Sequence, residues 1–306
     1  MITPMTISGV LPVLQLPYLD DESIDWTTLR KEVDMVFDQG ANGVVAAMVT
    51  EVLRLTDAER DELVEKLVEF TAGRGPVIMS VGAESAVQAK RHARAAEEAG
   101  ATGLMAIPPT NTPASADVVI SYYEAILGAT LLPLVVQDAS GYVGAPLPIA
   151  AQAAMFNRHP DRVMFKPEAQ PLGQNLSLLR EATGGKASIF EGSGGIALLD
   201  SHQRGVAGTM PGAEIVWAIR AEWDALQAGD LARATALQGI IAPLISLQQG
   251  LDGFLAVEKL LLNDAGVFPN RHVRGPVGFK LDPATEKEAL RLYTWLRKMC
   301  GMPQIS

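Results

Sequence analysis

The sequence predicts an α/β chain: a (β/α)8 TIM barrel with a helical C-terminal extension. Three observations predict it. Eight short apolar runs of strand length alternate with longer amphipathic segments before residue 213. Several runs follow a helix end almost at once through a glycine, as in Asp38-Gln-Gly-Ala-Asn-Gly-Val44, Glu97-Glu-Ala-Gly-Ala-Thr-Gly-Leu104 and Gln203-Arg-Gly-Val-Ala-Gly208, where glycine supplies the left-handed cap. Four helical patterns then fill 213–226, 231–249, 252–264 and 284–299, more than one closing helix requires.

The candidate strands are 9–16, 43–49, 77–82, 103–107, 132–138, 163–169, 188–192 and 206–210, with amphipathic segments at 27–39, 57–71, 86–98 and 118–127 among the connections. Repeated strand–helix units imply a parallel sheet. Eight of them match a closed barrel, with its active site at the C-terminal ends of the strands. An open doubly wound sheet is the competitor; no Gly-x-Gly-x-x-Gly follows the first strand, which weakens its dinucleotide-binding form. Residues 1–212 are assigned to the barrel and 213–306 to the closing helix and the extension.

Bulk properties narrow the function. With 48% apolar and 20% charged residues, the chain of 306 residues buries a large core. Acidic residues outnumber basic ones 35 to 25, and the formal charge of −10 argues against a nucleic-acid or anionic-membrane surface. A single cysteine, Cys300, excludes an internal disulfide framework and fits a reducing cytoplasm; its place in a basic helix suits packing better than nucleophilic chemistry. The N-terminus lacks the charged and apolar blocks of a signal peptide, and no apolar stretch has the length of a bilayer span. His92, His159, His202 and His272 are scattered without metal spacing, and His92 lies on a Lys/Arg-rich segment expected to be solvated.

One residue stands out chemically. Lys166 lies inside Arg162-Val-Met-Phe-Lys-Pro-Glu-Ala169, a run that reads as a buried strand. An ammonium there must be paired, snorkel out at the strand end, or give up its proton. The unprotonated amine is a nucleophile suited to attack a ketone and form a Schiff base. Glu168, two residues on, projects to the same side. It either shuttles protons beside a Schiff base or forms a plain ion pair with Lys166. At the other strand ends, Gln137 offers a donor and an acceptor, and Tyr142 reaches inward from the loop 139–144. Thr50 and Glu51 end strand two and are candidates for substrate contact, whereas Thr56 and Glu59 have the spacing of a capping box. In Phe190-Glu-Gly-Ser-Gly-Gly195, Gly192 and its neighbours form a tight turn whose backbone N–H groups can approach a carboxylate or hydroxyl, and Ser193 is a candidate for positioning one.

Together these features resemble the dihydrodipicolinate synthase / N-acetylneuraminate lyase family of class I (Schiff-base) enzymes over almost the whole chain. Leu14-Gln-Leu-Pro-Tyr18 with Ile24-Asp25 is similar to the family's first strand and turn. Met48-Val-Thr-Glu51 with Leu55-Thr56 and Glu59-Arg60 occupies the place of its "Gly-Thr-Thr-Gly-Glu … Leu-Thr … Glu-Arg". Val163-Met-Phe-Lys166 falls on the strand that bears the Schiff-base lysine, and Lys259-Leu260 with Val273-Arg-Gly-Pro276 matches the closing helix pattern. The resemblance implies a (β/α)8 barrel with a helical extension, usually tetrameric, acting on pyruvate or another 2-keto acid without a cofactor.

The departures are informative. The family's paired threonines correspond to Met48 and Val49, its strand-five tyrosine to Gln137, and its tyrosine after strand four to Thr110 in Pro108-Pro-Thr-Asn111, a candidate for substrate contact. Val49 cannot hydrogen-bond and Gln137 cannot exchange a proton near neutral pH, so a tyrosine relay is not available. The 2-keto-3-deoxy-L-arabonate dehydratases are similar in these changes, with a Val-Gln-Asp-Ala-like strand five, an acidic residue two after the lysine, a strand-seven "Glu-Gly", and a "Gly-Ala-x-Gly" strand eight, here Gly205-Val-Ala-Gly208.

The expected function is therefore a Schiff-base hydro-lyase acting on a small 2-keto-3-deoxy sugar acid, with Lys166 as nucleophile, Glu168 as acid or base, and Thr50, Gln137 and Ser193 positioning carboxylate and hydroxyls. A pyruvate-dependent aldolase or synthase starting from the same iminium is the first alternative. A keto-acid-binding barrel without turnover is the second. The partners expected are a small 2-keto acid and further copies of the chain as a dimer or tetramer, with no metal, nucleic acid or membrane.

Overall fold

A barrel strand needs apolar residues on both faces, because one face packs inside the ring and the other against a helix. The eight predicted runs have that character. In the computed structural model, which describes residues 7–111, 115–141 and 143–302, each run contains a strand: β1 (Gly9–Val10), β2 (Val44–Ala46), β3 (Val77–Ser80), β4 (Gly103–Ala106), β5 (Leu134–Asp138), β6 (Val163–Pro167), β7 (Phe190–Glu191) and β8 (Gly208–Thr209). The strands are shorter than the runs because burial outlasts the ladder. The first run contains Pro12, which has no N–H to donate. Beyond β1, Leu11, Leu14 and Leu16 are still fully buried.

Strands β2-β3-β4-β5-β6 form a five-stranded sheet and β1-β8-β7 a three-stranded one, with every neighbouring pair parallel. Val13 bridges to both Val45 and Gly212, and Phe165 bridges to Ile189. These contacts join the two sheets at both edges and close the ring. Leu11, Val45, Ile78, Met105, Val135 and Phe190 pack into its interior.

The helices cover the outside: α1 (Trp26–Asp38), α2 (Asp57–Thr71), α3 (Ala86–Glu98), α4 (Ala116–Leu127), α5 (Ile149–Arg158), α6 (Leu172–Ala182) and α7 (Leu198–Gln203). Their starts follow side-chain chemistry. Asp25 accepts from Thr28 N at 3.0 Å, and Thr56 and Glu59 cap α2 reciprocally, with Thr56 N to Glu59 Oε2 at 2.8 Å. One expectation fails: His92 is not solvated. It shares the buried face of α3 with Ala89, Ala93 and Ala96, and burial with the nearby Arg60 guanidinium holds its imidazole down at about 4.

Four more helices follow: α8 (Val216–Gln227), α9 (Leu231–Ile245), α10 (Gly250–Asp264) and α11 (Pro283–Met299). The predicted helix 231–249 stops early, and the chain turns into α10. No single helix among the described residues is long and apolar enough to cross a membrane. Cys300 caps α11 half-buried, and burial raises its thiol.

One polar knot ties this extension to the barrel. After β2 the chain makes two short 3-10 turns, and Glu51 between them takes a left-handed φ of 56°. Such a backbone is costly for a side chain with a Cβ and persists only where its surroundings fix it. Here Lys259 Nζ of α10 donates to Glu51 Oε1 and to His272 O, each at 2.6 Å, while Arg274 N donates to Glu51 Oε2 at 3.1 Å. Arg274 also clamps Glu59, and both cations lie over the Tyr18 ring, 4.7 Å from its centroid.

Candidate active site

β5 and β6 run in register, Gln137 opposite Lys166 and Asp138 opposite Pro167. Residues opposite one another on parallel strands face the same side. Lys166, though 5% exposed, turns into the ring's C-terminal mouth, and its Nζ meets Glu168 Oε1 in an ion pair. Gln137 Nε2 donates to the same oxygen at 3.1 Å. Glu168 Oε2 and Gln137 Oε1 are buried with no hydrogen-bond partner among the described residues. Burial pushes the Glu168 carboxyl above the ordinary carboxylate range, with the Lys166 charge and the Gln137 bond pulling the other way.

Gly192 makes this packing possible. A Cβ there would stand 2.9 Å from Glu168 Cγ and 3.0 Å from both Glu168 Oε1 and Lys166 Cγ. Asp138 holds the following loop, accepting from Ser140 N at 3.0 Å and Leu147 N at 2.9 Å, while its backbone carbonyl accepts from Glu168 N at 3.0 Å.

In front of the lysine lies a small cavity with an open mouth. Gln137, Lys166, Gly192 and Gly194 form one wall, Met48 and Val49 of the turn after β2 another, and Met210, Pro211 and Gly212 after β8 a third. Leu251, Phe254 and Glu258 of α10 complete it.

The structure brings together four of the residues picked out in the sequence: Lys166, Glu168, Gln137 and Gly192. Thr50, Glu51, Ser193 and Thr110 stand elsewhere. Thr50 Oγ1 donates to Leu14 O at 2.6 Å and accepts from Ala47 N at 2.9 Å, bracing the segment after β1 against the turn after β2; it does not line the cavity. Glu51 is taken up by Lys259 and Arg274. Ser193 closes the turn after β7, its hydroxyl donating to Glu191 and accepting from Ala197 N at 3.0 Å. Thr110 binds Glu84 Oε1 through its N–H at 3.0 Å and its hydroxyl at 2.8 Å, and lines a separate surface pocket. Tyr142 lies outside the described residues.

Glu258 is the residue that the sequence reading passed over. Its signal was a Glu-Lys pair at the centre of the apolar segment Phe254–Leu262, where two charges must find buried partners. Lys259 finds Glu51. Glu258, 2% exposed, faces the cavity, with Gln15 Nε2 hydrogen-bonded to its Oε2.

Residues 6–296 match the model of the dihydrodipicolinate synthetase family. The chain belongs to that family. It is thereby a class I Schiff-base lyase, and the barrel with its helical tail is the family fold. Among proteins similar to this member, L-2-keto-3-deoxyarabonate dehydratase of Azospirillum brasilense is 28% identical over 290 residues, 93% of each chain. A 4-hydroxy-tetrahydrodipicolinate synthase of Rhizobium meliloti (strain 1021) is 29% identical over 282 residues, 90% of this chain and 94% of that one. The crystal structure of dihydrodipicolinate synthase from Rhodopseudomonas palustris superposes with a TM-score of 0.85 at 25% identity, covering 95% of this chain and 98% of that one.

Proposed function

We propose that this family member is a hydro-lyase that dehydrates a small 2-keto-3-deoxy sugar acid. The observation that carries the reading is the Lys166–Glu168–Gln137 cluster: a carboxyl raised by burial touches the nucleophilic amine, and glutamine stands where a tyrosine relay would need an ionisable hydroxyl. The similarity to a dehydratase over nearly the whole chain supports the same branch.

In this reading the Lys166 amine attacks the C2 ketone, and loss of water gives an iminium. The iminium draws electrons from C3, and Glu168, adjacent to the nitrogen, removes a C3 proton as general base. The enamine electrons then expel the C4 hydroxyl, which leaves as water with an added proton. Water hydrolyses the remaining iminium and frees the amine. Gln137 orients the substrate through its unpartnered Oε1, while Thr50 and Ser193 act at one remove by fixing the turns that carry Val49, Gly192 and Gly194. The protein works as a homo-oligomer, dimer or tetramer, in the cytoplasm, as the family resemblance and the single cysteine together suggest.

Borohydride reduction in the presence of a panel of 2-keto acids, followed by peptide mass spectrometry, tests the covalent step. The expected adduct is on Lys166. Product analysis separates the outcomes: a dehydrated acid supports this reading, and release of pyruvate would replace it with an aldolase.

A further inference from the structure

Among the described residues lining the cavity, Lys166 and Glu258 are the two that ionise. Glu168 sits behind the lysine, and every other lining side chain is apolar or the Gln137 amide. Beyond the Lys166–Glu168 pair, a molecule held by Lys166 therefore meets one ionisable side chain in the cavity wall, and it comes from α10 of the C-terminal extension.

Glu258 has a carboxyl neighbour. A Cβ on Gly212 would stand 2.1 Å from Glu214 Oε2 and 2.6 Å from Glu258 Oε1, so these two oxygens lie no more than 4.7 Å apart around one glycine. Glu214 is 2% exposed, and the Gln248 side chain lies beside its carboxyl. Two carboxylates this close, away from water, do not both stay charged, so at least one keeps its proton. Glu32 of α1 adds a third buried carboxyl: Gln15 donates its backbone N–H to Glu32 Oε1 at 2.8 Å and its side-chain amide to Glu258. Burial raises Glu258 well above the ordinary carboxylate range, and the Glu214 and Glu32 charges raise it further, against the Gln15 bond and the Lys166 charge. Burial raises Glu214 in the same direction.

From this geometry we infer that Glu258, beside the Glu214 carboxyl, is the acid that protonates the hydroxyl leaving C4. The inference rests on the dehydratase reading above and adds a residue to it. The C4–O bond breaks with its electron pair going to oxygen, the Glu258 proton joins that oxygen to make water, and the C3–C4 double bond forms from the enamine electrons. Glu258 is left as a carboxylate and takes its proton back from solvent after product leaves. Glu168 and Glu258 thus divide the work: one takes the C3 proton at the lysine, the other supplies a proton from the opposite wall.

The test uses the full chain as wild type, Glu258→Gln and Glu214→Gln. Each is trapped on Lys166 with pyruvate and borohydride, and each is assayed on a 4-hydroxy 2-keto-3-deoxy acid and on its 4-fluoro analogue, since fluoride departs without an added proton. All three proteins should trap pyruvate. Glu258→Gln should lose about 100-fold or more in kcat on the hydroxy acid while releasing fluoride within a few-fold of wild type. Glu214→Gln should move the alkaline limb of kcat about one pH unit or more downward, because the negative charge that holds the Glu258 proton is gone. Equal losses on both substrates, or an unchanged rate on the hydroxy acid, would overturn the assignment, as would an unmoved alkaline limb in Glu214→Gln. Failure of the wild type to trap pyruvate would instead remove the dehydratase reading, and this assignment with it.

Discussion

Glu51 and Lys259 form an ion pair with both side chains fully buried, Oε1 to Nζ at 2.6 Å, and it links the turn after β2 to the second-last helix. Burial alone would drive the Lys259 amine to its neutral form; Glu51 opposes that. Breaking such a pair from one side leaves an uncompensated charge in the interior. Lys259→Met should lower unfolding free energy by about 3–5 kcal/mol, measured by urea denaturation. Adding Glu51→Gln should restore part of the loss; a double variant no better than the single would show that the pair's charge is not what the site needs.

Gly192 separates two functions that a mutation can tell apart. A methyl group there meets Lys166 and Glu168 first. Gly192→Ala should therefore abolish borohydride trapping at Lys166 while the melting temperature falls by only a few degrees. Trapping at the wild-type level would mean that the two side chains move aside freely.

Glu168 is proposed to act after the covalent bond has formed. Glu168→Gln keeps the shape and the contact with Gln137 but cannot take the C3 proton. Adduct with pyruvate should still form, more slowly, and turnover should drop about 10²–10⁴-fold. Exchange of the C3 protons of bound pyruvate with deuterium, followed by NMR, should fall in step; exchange at the wild-type rate would assign the base elsewhere.

The stability of the fold should depend on pH through a buried group away from the cavity. Burial, with the Glu191 charge adding to it, raises Glu222 on α8 from an ordinary 4.5 to about 8. Its folded-state value lies above its unfolded one, so its contribution is complete below about 4.5 and is lost as pH rises through about 8. Melting temperature should fall between pH 6 and pH 9, and Glu222→Gln, which has no proton to lose, should flatten that fall. An identical slope in the variant would exclude Glu222 as its source.

These residues show which parts of the site a sequence can reveal. The strands were legible because an apolar run between glycine and polar turns has few other uses, and Lys166 because a charge inside such a run needs a reason. Glu168 followed from parity, since extended backbone returns to the same side every second residue. Strand two ends sooner than its apolar run suggests. The chain leaves the extended conformation at Met48 and enters a 3-10 turn, so Met48 and Val49 reach the cavity while Thr50 turns back to Leu14 O. Glu258 was hidden for another reason. A helix apolar on most sides offers no periodic clue to which of its charges faces a ligand, and its partner Glu214 is far off in the chain. His92 misled through composition: the arginines and lysine around it occupy other faces of α3.

Leu251, Phe254 and Glu258 occupy successive turns of one face of α10, and this face roofs a chamber whose floor is built from strands. What the chamber admits can thus be retuned by exchanging roof tiles, with no strand register disturbed and Lys166 left where it is. A lineage that keeps its nucleophile while changing its diet has, in this architecture, a short list of positions at which to begin.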